Sequence, residues 1–192
     1  MEWYKMFYEL NIFDIKRKLP ILKTINGDYI AGFNSVGDME LLIKVGQYLS
    51  NYIKENKIEF DVILTTELKG VPISQEIARN LNCDYVCLRK EKKSYMFNPI
   101  CIKSEIITSG KTNYYISELD LNKLKNKRVI FVDDVFSTGS TFKSIASFAK
   151  NEKIQIVKGL FILKEGNENK LKFQYSNIDV FCCMYLPLPN AK

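Results

Sequence analysis

The sequence predicts an α/β fold with a mainly parallel central sheet and helices on both faces. Three observations carry this. Short apolar runs at residues 61–64, 84–88 and 129–132 have the length and β-branched character of buried strands. Helix-like stretches at residues 39–56, 72–81 and 142–150 alternate with them, the pattern of strand–helix units packed into one layered domain. Polar, chemistry-bearing residues follow each run, at the strand end where open α/β sheets bind ligands. At 192 residues the chain is long enough for one domain with a real core, so a single domain over residues 1–192 is expected.

In chain order, residues 1–19 are rich in aromatics and are expected to be helical in part. Residues 23–34 hold Asn26 and Gly27 between apolar runs, a hairpin signal. Gly37 and Asp38 precede a helix over residues 39–56, whose Leu41, Leu42, Val45, Tyr48, Leu49 and Tyr52 fit the helical period. The first strand, residues 61–64, passes through Thr65, Thr66, Glu67, Leu68, Lys69 and Gly70 into a helix near residues 72–81. Pro72 suits its first turn, where a missing N–H costs nothing. The second strand, residues 84–88, ends in Arg89 and Lys90. Residues 91–109 have no clear period and read as a long loop, a length usually associated with function or mobility. Residues 111–117 alternate weakly, as in a strand. After residues 129–150, further strands are expected at residues 155–163 and 179–186.

Composition excludes several classes of chemistry. The chain has no histidine, which removes Ser-His-Asp hydrolysis and histidine-ligated zinc. Its five cysteines are odd in number and lack a Cys-x-x-Cys pair, so neither a disulfide framework nor a zinc site is indicated. No apolar run is long enough for a membrane span, and the N-terminus lacks a secretory layout, so a cytoplasmic protein without membrane contact is expected. The net charge of +6 suits a polyanionic small substrate. No helix-turn-helix, zinc-finger or basic-zipper pattern accompanies it, and no nucleic-acid partner is expected. Ser109, Gly110, Lys111 and Thr112 look like the tail of a P-loop. The required earlier glycine is Glu105, however, and the residues that follow favour a strand over a helix.

Residues 128–141 carry the most information. A buried-strand run leads into Asp133 and Asp134, then into Ser137, Thr138, Gly139, Ser140 and Thr141, and then into a helix. A small-residue turn opening a helix offers free amides, hydroxyls and the positive end of the helix dipole, which suits phosphate. Two carboxylates would repel a bare phosphate, but they can accept hydrogen bonds from hydroxyls or hold Mg²⁺. A sugar phosphate offers both kinds of group. The bland alternative is a strand whose acids merely cap the next turn.

This segment resembles the 5-phosphoribosyl 1-pyrophosphate (PRPP) motif of type I phosphoribosyltransferases, closest to the adenine and xanthine members. The resemblance implies the type I phosphoribosyltransferase fold with a small hood, built from about residues 19–38 and the C-terminal segment at residues 186–189. It implies that Asp133 and Asp134 contact the ribose 2′ and 3′ hydroxyls and that Ser137, Thr138, Gly139, Ser140 and Thr141 grip the 5′-phosphate. Glu67, Leu68, Lys69 and Gly70 look like the family's diphosphate loop, with Lys69 where an arginine often stands. Lysine keeps the charge but lacks the bidentate fork. Arg89 and Lys90 resemble the opening of the catalytic loop; Arg89 and Lys93 would assist catalysis, Lys90 would face diphosphate, and Lys93 and Tyr95 would ride on a lid. Taken alone, that charge run reads as a solvated face.

Adenine members carry a glutamate near the loop's end, where this chain aligns Thr108, with Glu105 slightly earlier. Phe33 is the candidate for stacking on the base, with core packing as the competing reading. The activity so implied is Mg²⁺-dependent transfer of 5-phosphoribose from PRPP to a purine base. Adenine is the first choice and xanthine or guanine the alternative. Mg²⁺ is expected to enter through PRPP, with Asp133 and Asp134 as its nearest protein groups. A homodimer is expected. A non-catalytic PRPP-binding regulator is the rival reading.

Overall fold

The computed structural model describes residues 7–24, 27–103 and 113–189. Residues 7–23 hold β-structure where a partly helical segment was expected, and residues 1–6 of that segment lie outside the described residues. Strand β1 (Phe7–Ile12) pairs antiparallel with β2 (Ile15–Lys23), with Ile12 opposite Ile15. The reason is period-two burial: Leu10, Ile12, Ile15 and Leu19 go into the core while residues between them face outward. The two-residue turn places Phe13 and Asp14 at φ 51° and 66°, the geometry of a primed hairpin turn without its usual Asn-Gly signature. β3 (Tyr29–Ala31) adds antiparallel to β2, so the hairpin read from Gly27 is present; Asn26 itself lies outside the described residues. These three strands form a small sheet.

The helix α1 (Met39–Glu55) starts where the sequence places it, because Asp38 caps it by accepting from the Leu41 N–H at 3.2 Å. Arg17 of β2 reaches the same cap. Its Nε donates to Asp38 Oδ2 at 2.7 Å and one terminal nitrogen donates to Glu40 Oε2 at 2.7 Å, tying the small sheet to α1.

The main sheet follows from two strand–helix units and a C-terminal strand group. After α1 the chain runs through β4 (Val62–Thr66), α2 (Gly70–Leu81), β5 (Tyr85–Leu88), then β6 (Ile100–Ile102) and β7 (Tyr114–Ile116), which lie outside the main sheet, and α3 (Glu118–Leu124). It continues with β8 (Arg128–Phe136), α4 (Ser140–Asn151), β9 (Gln155–Gly166), β10 (Lys172–Tyr175) and β11 (Ile178–Pro187). Strand order is β10-β11-β9-β8-β4-β5, parallel throughout except for the antiparallel edge strand β10. Alternation within the strands divides the core. Ile63, Ile130 and Val132 pack with α1 and α2, whereas Val62, Leu64, Val129 and Phe131 pack with α3 and α4.

Three differences from the sequence reading have local causes. β8 does not stop at Val132; it runs on through both aspartates because Asp133, Val135 and Phe136 stay in register with Phe161, Leu163 and Lys164 of β9. The segment read as a structureless loop contains β6, which pairs with β7 as a small hairpin. Helix α3, capped by Ser117, is too short to display a period. Among the described residues no helix is long and apolar enough to cross a membrane.

Candidate active site

β5, β4 and β8 are neighbours in the sheet, so their carboxyl ends bring Arg89 and Lys90, residues 67–70 and the two aspartates to one edge. The turn that follows β8 is shaped by Gly139, at φ 76° and buried between two rings. A Cβ there would lie 2.6 Å from Phe136 and 2.7 Å from Tyr175, so no side chain fits. Tyr175 also braces the turn, its hydroxyl donating to the Thr138 carbonyl at 3.2 Å. Ser137 and Thr138 are exposed, and Thr138 donates to the Ser140 hydroxyl at 3.1 Å. A cavity of about 110 Å³ is lined by residues 137–141 together with Asp133 and the aromatic residues beneath.

The four helices among the described residues differ in how their N-termini are treated. Asp38 and Ser117 cap α1 and α3 through their side chains. α2 and α4, the helices that begin at this edge, have Lys69 and Gly139 at the cap position and no side-chain cap. In α4 the Ser140 N–H meets the Thr138 hydroxyl at 3.4 Å, a long contact; first-turn amides without a side-chain acceptor are donors for an anion, reinforced by the helix dipole.

The aspartates have different surroundings. Asp133 Oδ2 accepts from the Thr66 hydroxyl at 2.9 Å, and its Oδ1 accepts from the Asp134 N–H at 2.9 Å. Burial, then the neighbouring Asp134 charge, pushes the Asp133 carboxyl up to about 7. Asp134 is 8% exposed. Its Oδ1 accepts from the Val135 N–H at 2.9 Å, whereas Oδ2 makes no hydrogen bond among the described residues and faces Lys69 Nζ at 3.5 Å. Burial raises the Asp134 carboxyl as well, and Lys69 opposes that shift. A buried carboxylate oxygen without a hydrogen bond is costly unless a ligand hydroxyl or a cation's water completes it.

The loop between β4 and α2 is packed too tightly for any residue but glycine at position 70. A Cβ there would collide with Thr65 Oγ1 and lie 2.7 Å from Asp133 Oδ1. The Glu67–Leu68 peptide is cis. Glu67 faces β5: its Oε1 is 3.4 Å from Arg89, and its Oε2 accepts from the Lys90 N–H at 3.0 Å. Leu68 is exposed. Lys69 Nζ donates to the Phe33 carbonyl at 2.8 Å besides facing Asp134.

The edge therefore unites Asp133, Asp134, residues 67–70, Arg89, Lys90 and the turn at residues 137–141. Two candidates stand apart. Phe33 puts its ring in the core under the small sheet and offers the edge only its carbonyl. Lys93 lies on the loop after β5, its Nζ paired with Glu91 at 2.7 Å. Thr108 and Glu105 lie outside the described residues. Sequence reasoning passed over Thr66, whose hydroxyl donates to Asp133. Thr66 sits directly before Glu67, and a hydroxyl at a strand's carboxyl end was the available signal.

Asp133 and Asp134 supply hard oxygen donors, a set that fits Mg²⁺ held jointly with a substrate's oxygens. Among the described residues no group of three or more His, Cys, Asp or Glu side chains is placed to hold a metal ion.

A family model described as the phosphoribosyl transferase domain matches residues 34–185. The hypoxanthine/guanine phosphoribosyltransferase of Methanothermococcus okinawensis is 27% identical over 183 residues, covering 93% of this chain and 95% of its own. That of Methanococcus maripaludis is 30% identical over 152 residues, 77% of each chain. Among solved structures, the adenine phosphoribosyltransferase of Thermoanaerobacter pseudethanolicus superposes with a TM-score of 0.65 at 18% identity, covering 94% of this chain and 96% of its own. The matched span takes in every part of the edge described above, and the chain belongs to the phosphoribosyl transferase domain family.

Proposed function

We propose that this phosphoribosyltransferase transfers the 5-phosphoribosyl group of PRPP to a purine base in purine salvage, releasing diphosphate. The observation that carries this reading is the junction of β4 and β8, where the half-buried Asp133 and the buried Asp134 meet a glycine turn whose helix has no side-chain cap. The turn's amides and hydroxyls hold the 5′-phosphate. Asp133 and Asp134 accept the ribose hydroxyls, and a hydroxyl on Asp134 Oδ2 would complete that buried oxygen. Lys69 and Arg89, now facing Asp134 and Glu67, are within reach of a competing anion and would stabilise the departing diphosphate as negative charge grows on it. Lys90 and Gly70 supply backbone at the same edge, and Lys93 stands on the loop that would exclude water. Mg²⁺ bound with PRPP would neutralise part of the diphosphate charge, with Asp133 and Asp134 as its nearest protein oxygens.

Hypoxanthine or guanine is the base we favour, because relatives up to 30% identical over more than three quarters of the chain bear that name. Adenine is the second reading. It rests on the Glu67 and Arg89 segments, which form one paired unit here. A homodimer and a cytoplasmic location accompany the proposal. Its test is diphosphate release from PRPP and Mg²⁺ with adenine, hypoxanthine, guanine and xanthine. Turnover is expected with a 6-oxopurine. Turnover on adenine alone replaces the base, and PRPP binding without turnover on any base makes the chain a regulator.

A further inference from the structure

A cavity of about 640 Å³ lies away from the catalytic edge and shares no lining residue with the cavity at the phosphate turn. One wall is α4, whose Lys143, Ala146, Ser147 and Lys150 stand at the spacing of a single helical stripe. The facing wall is the start of β9 and the turn between β10 and β11, where Ser176 and Asn177 take φ 53° and 62°. Topology makes this groove. β11 and β10 extend the sheet beyond β9, and among the described residues no helix follows β9 to cover them. Since β9 runs parallel to β8, its start at Gln155 lies at the opposite edge of the sheet from the aspartates.

The floor is aliphatic: Ala149 and Ile154 are buried, and Ile156 and Ile178 are half-buried. The rim is cationic. Lys143, Lys150 and Lys153 are exposed, and no carboxylate lines the cavity. Lys69, Lys93, Lys123, Lys125 and Lys158 have acidic partners among the described residues; the three rim lysines have none. The acids next to the rim in sequence are engaged elsewhere. Glu152 faces Lys125 at 3.8 Å, and Asp179, on the other face of β11 from Ile178, faces Lys158 at 3.5 Å. Three uncompensated ammonium groups around one cavity attract an anion of several charges. An apolar floor with a few polar groups at its rim is the make-up of a small-molecule site, and the volume lies in the range of such sites.

We propose that this cavity is a second ligand site, which takes a nucleoside triphosphate. The triphosphate meets the three lysines, and the nucleoside covers the floor with Ser147, Gln155 and Asn177 at its polar edges. An inorganic polyphosphate would leave the floor wet, and a fatty acid would bring one charge and no use for the polar rim. The inference goes beyond the function proposed above and does not depend on it.

The experiment titrates the full chain by calorimetry, without Mg²⁺, with ATP, inorganic triphosphate, adenosine and oligoadenylate. ATP should bind about tenfold more tightly than triphosphate, and adenosine more weakly still, as it meets no ammonium group. Lys150→Ala combined with Lys153→Ala should lower ATP affinity about tenfold or more. Ala146→Leu, which fills the cavity, should lower ATP affinity about tenfold and leave triphosphate affinity within about threefold. Circular dichroism verifies the fold of each variant. Neither change reaches the catalytic edge, so diphosphate release by the wild type should be kept within about twofold in both variants. The binding arms need no turnover, so a chain that fails as a transferase still tests this site. Absence of ATP binding, triphosphate binding as tight as that of ATP, or turnover lost with the lysines would each overturn the proposal. ATP binding that survives both variants belongs to the catalytic edge and overturns it too. Oligoadenylate that outbinds ATP and is lost with the lysines makes this face a nucleic-acid surface instead.

Discussion

At the residue scale, Asp133 and Asp134 show how a site is held against its own electrostatics. Two neighbouring carboxylates in a poorly solvated strand end repel, and both are raised above the ordinary carboxylate range. For Asp133, raised to about 7, the folded chain binds more protons than the unfolded chain between about pH 4 and pH 7. Its contribution to stability is therefore present at the acid end of that window and is lost as pH rises through it. Asp133→Asn should remove this dependence, leaving the variant about 1–3 kcal/mol more stable than wild type at pH 8 and similar to it at pH 4. Denaturant titrations at several pH values measure the difference; parallel wild-type and variant curves would refute it. The same change should abolish turnover, the stability–activity exchange expected where function requires a strained charge.

At the element scale, the turn into α4 depends on one glycine. Gly139→Ala would force an L side chain to φ 76° and drive its Cβ against Phe136 and Tyr175. A loss of about 2–4 kcal/mol is expected from backbone strain and ring displacement together, with phosphate binding weakened in parallel. Gly37→Ala is the control. It has φ 86° with nothing within 4 Å of its Cβ, so it should cost only the strain, about 1 kcal/mol. Equal losses for the two variants would mean that packing at the turn is unimportant. The uncapped starts of α2 and α4 belong to the same scale. A side-chain cap normally stabilises a helix by about 1 kcal/mol, and the two helices that open onto the site forgo it while α1 and α3 do not.

At the scale of the whole molecule, a ligand that joins the loop at residues 67–70 and the turn at residues 137–141 should stabilise the chain as one unit. PRPP with Mg²⁺ at a hundredfold excess over its dissociation constant should add about 2.7 kcal/mol, read as a rise of several degrees in melting temperature. No rise would remove the proposed substrate. Much of this molecule is legible in its sequence. β-branched runs alternating with helix-like stretches determine the parallel sheet, since such runs can be buried only with helices on both faces. Small residues after an acidic pair mark the turn, because only they leave backbone donors exposed. The N-terminal strands were not legible, because Phe13 and Asp14 make a hairpin turn that other residues usually make. Only the tertiary structure decided that Glu67 pairs with Arg89, that Lys69 spans Asp134 and the Phe33 carbonyl, and that Thr66 donates to Asp133. Those partners are 22, 65, 36 and 67 positions apart, and the order of strands across the main sheet, with the N-terminal segment packed beside it, is what brings them within reach, which no local pattern encodes.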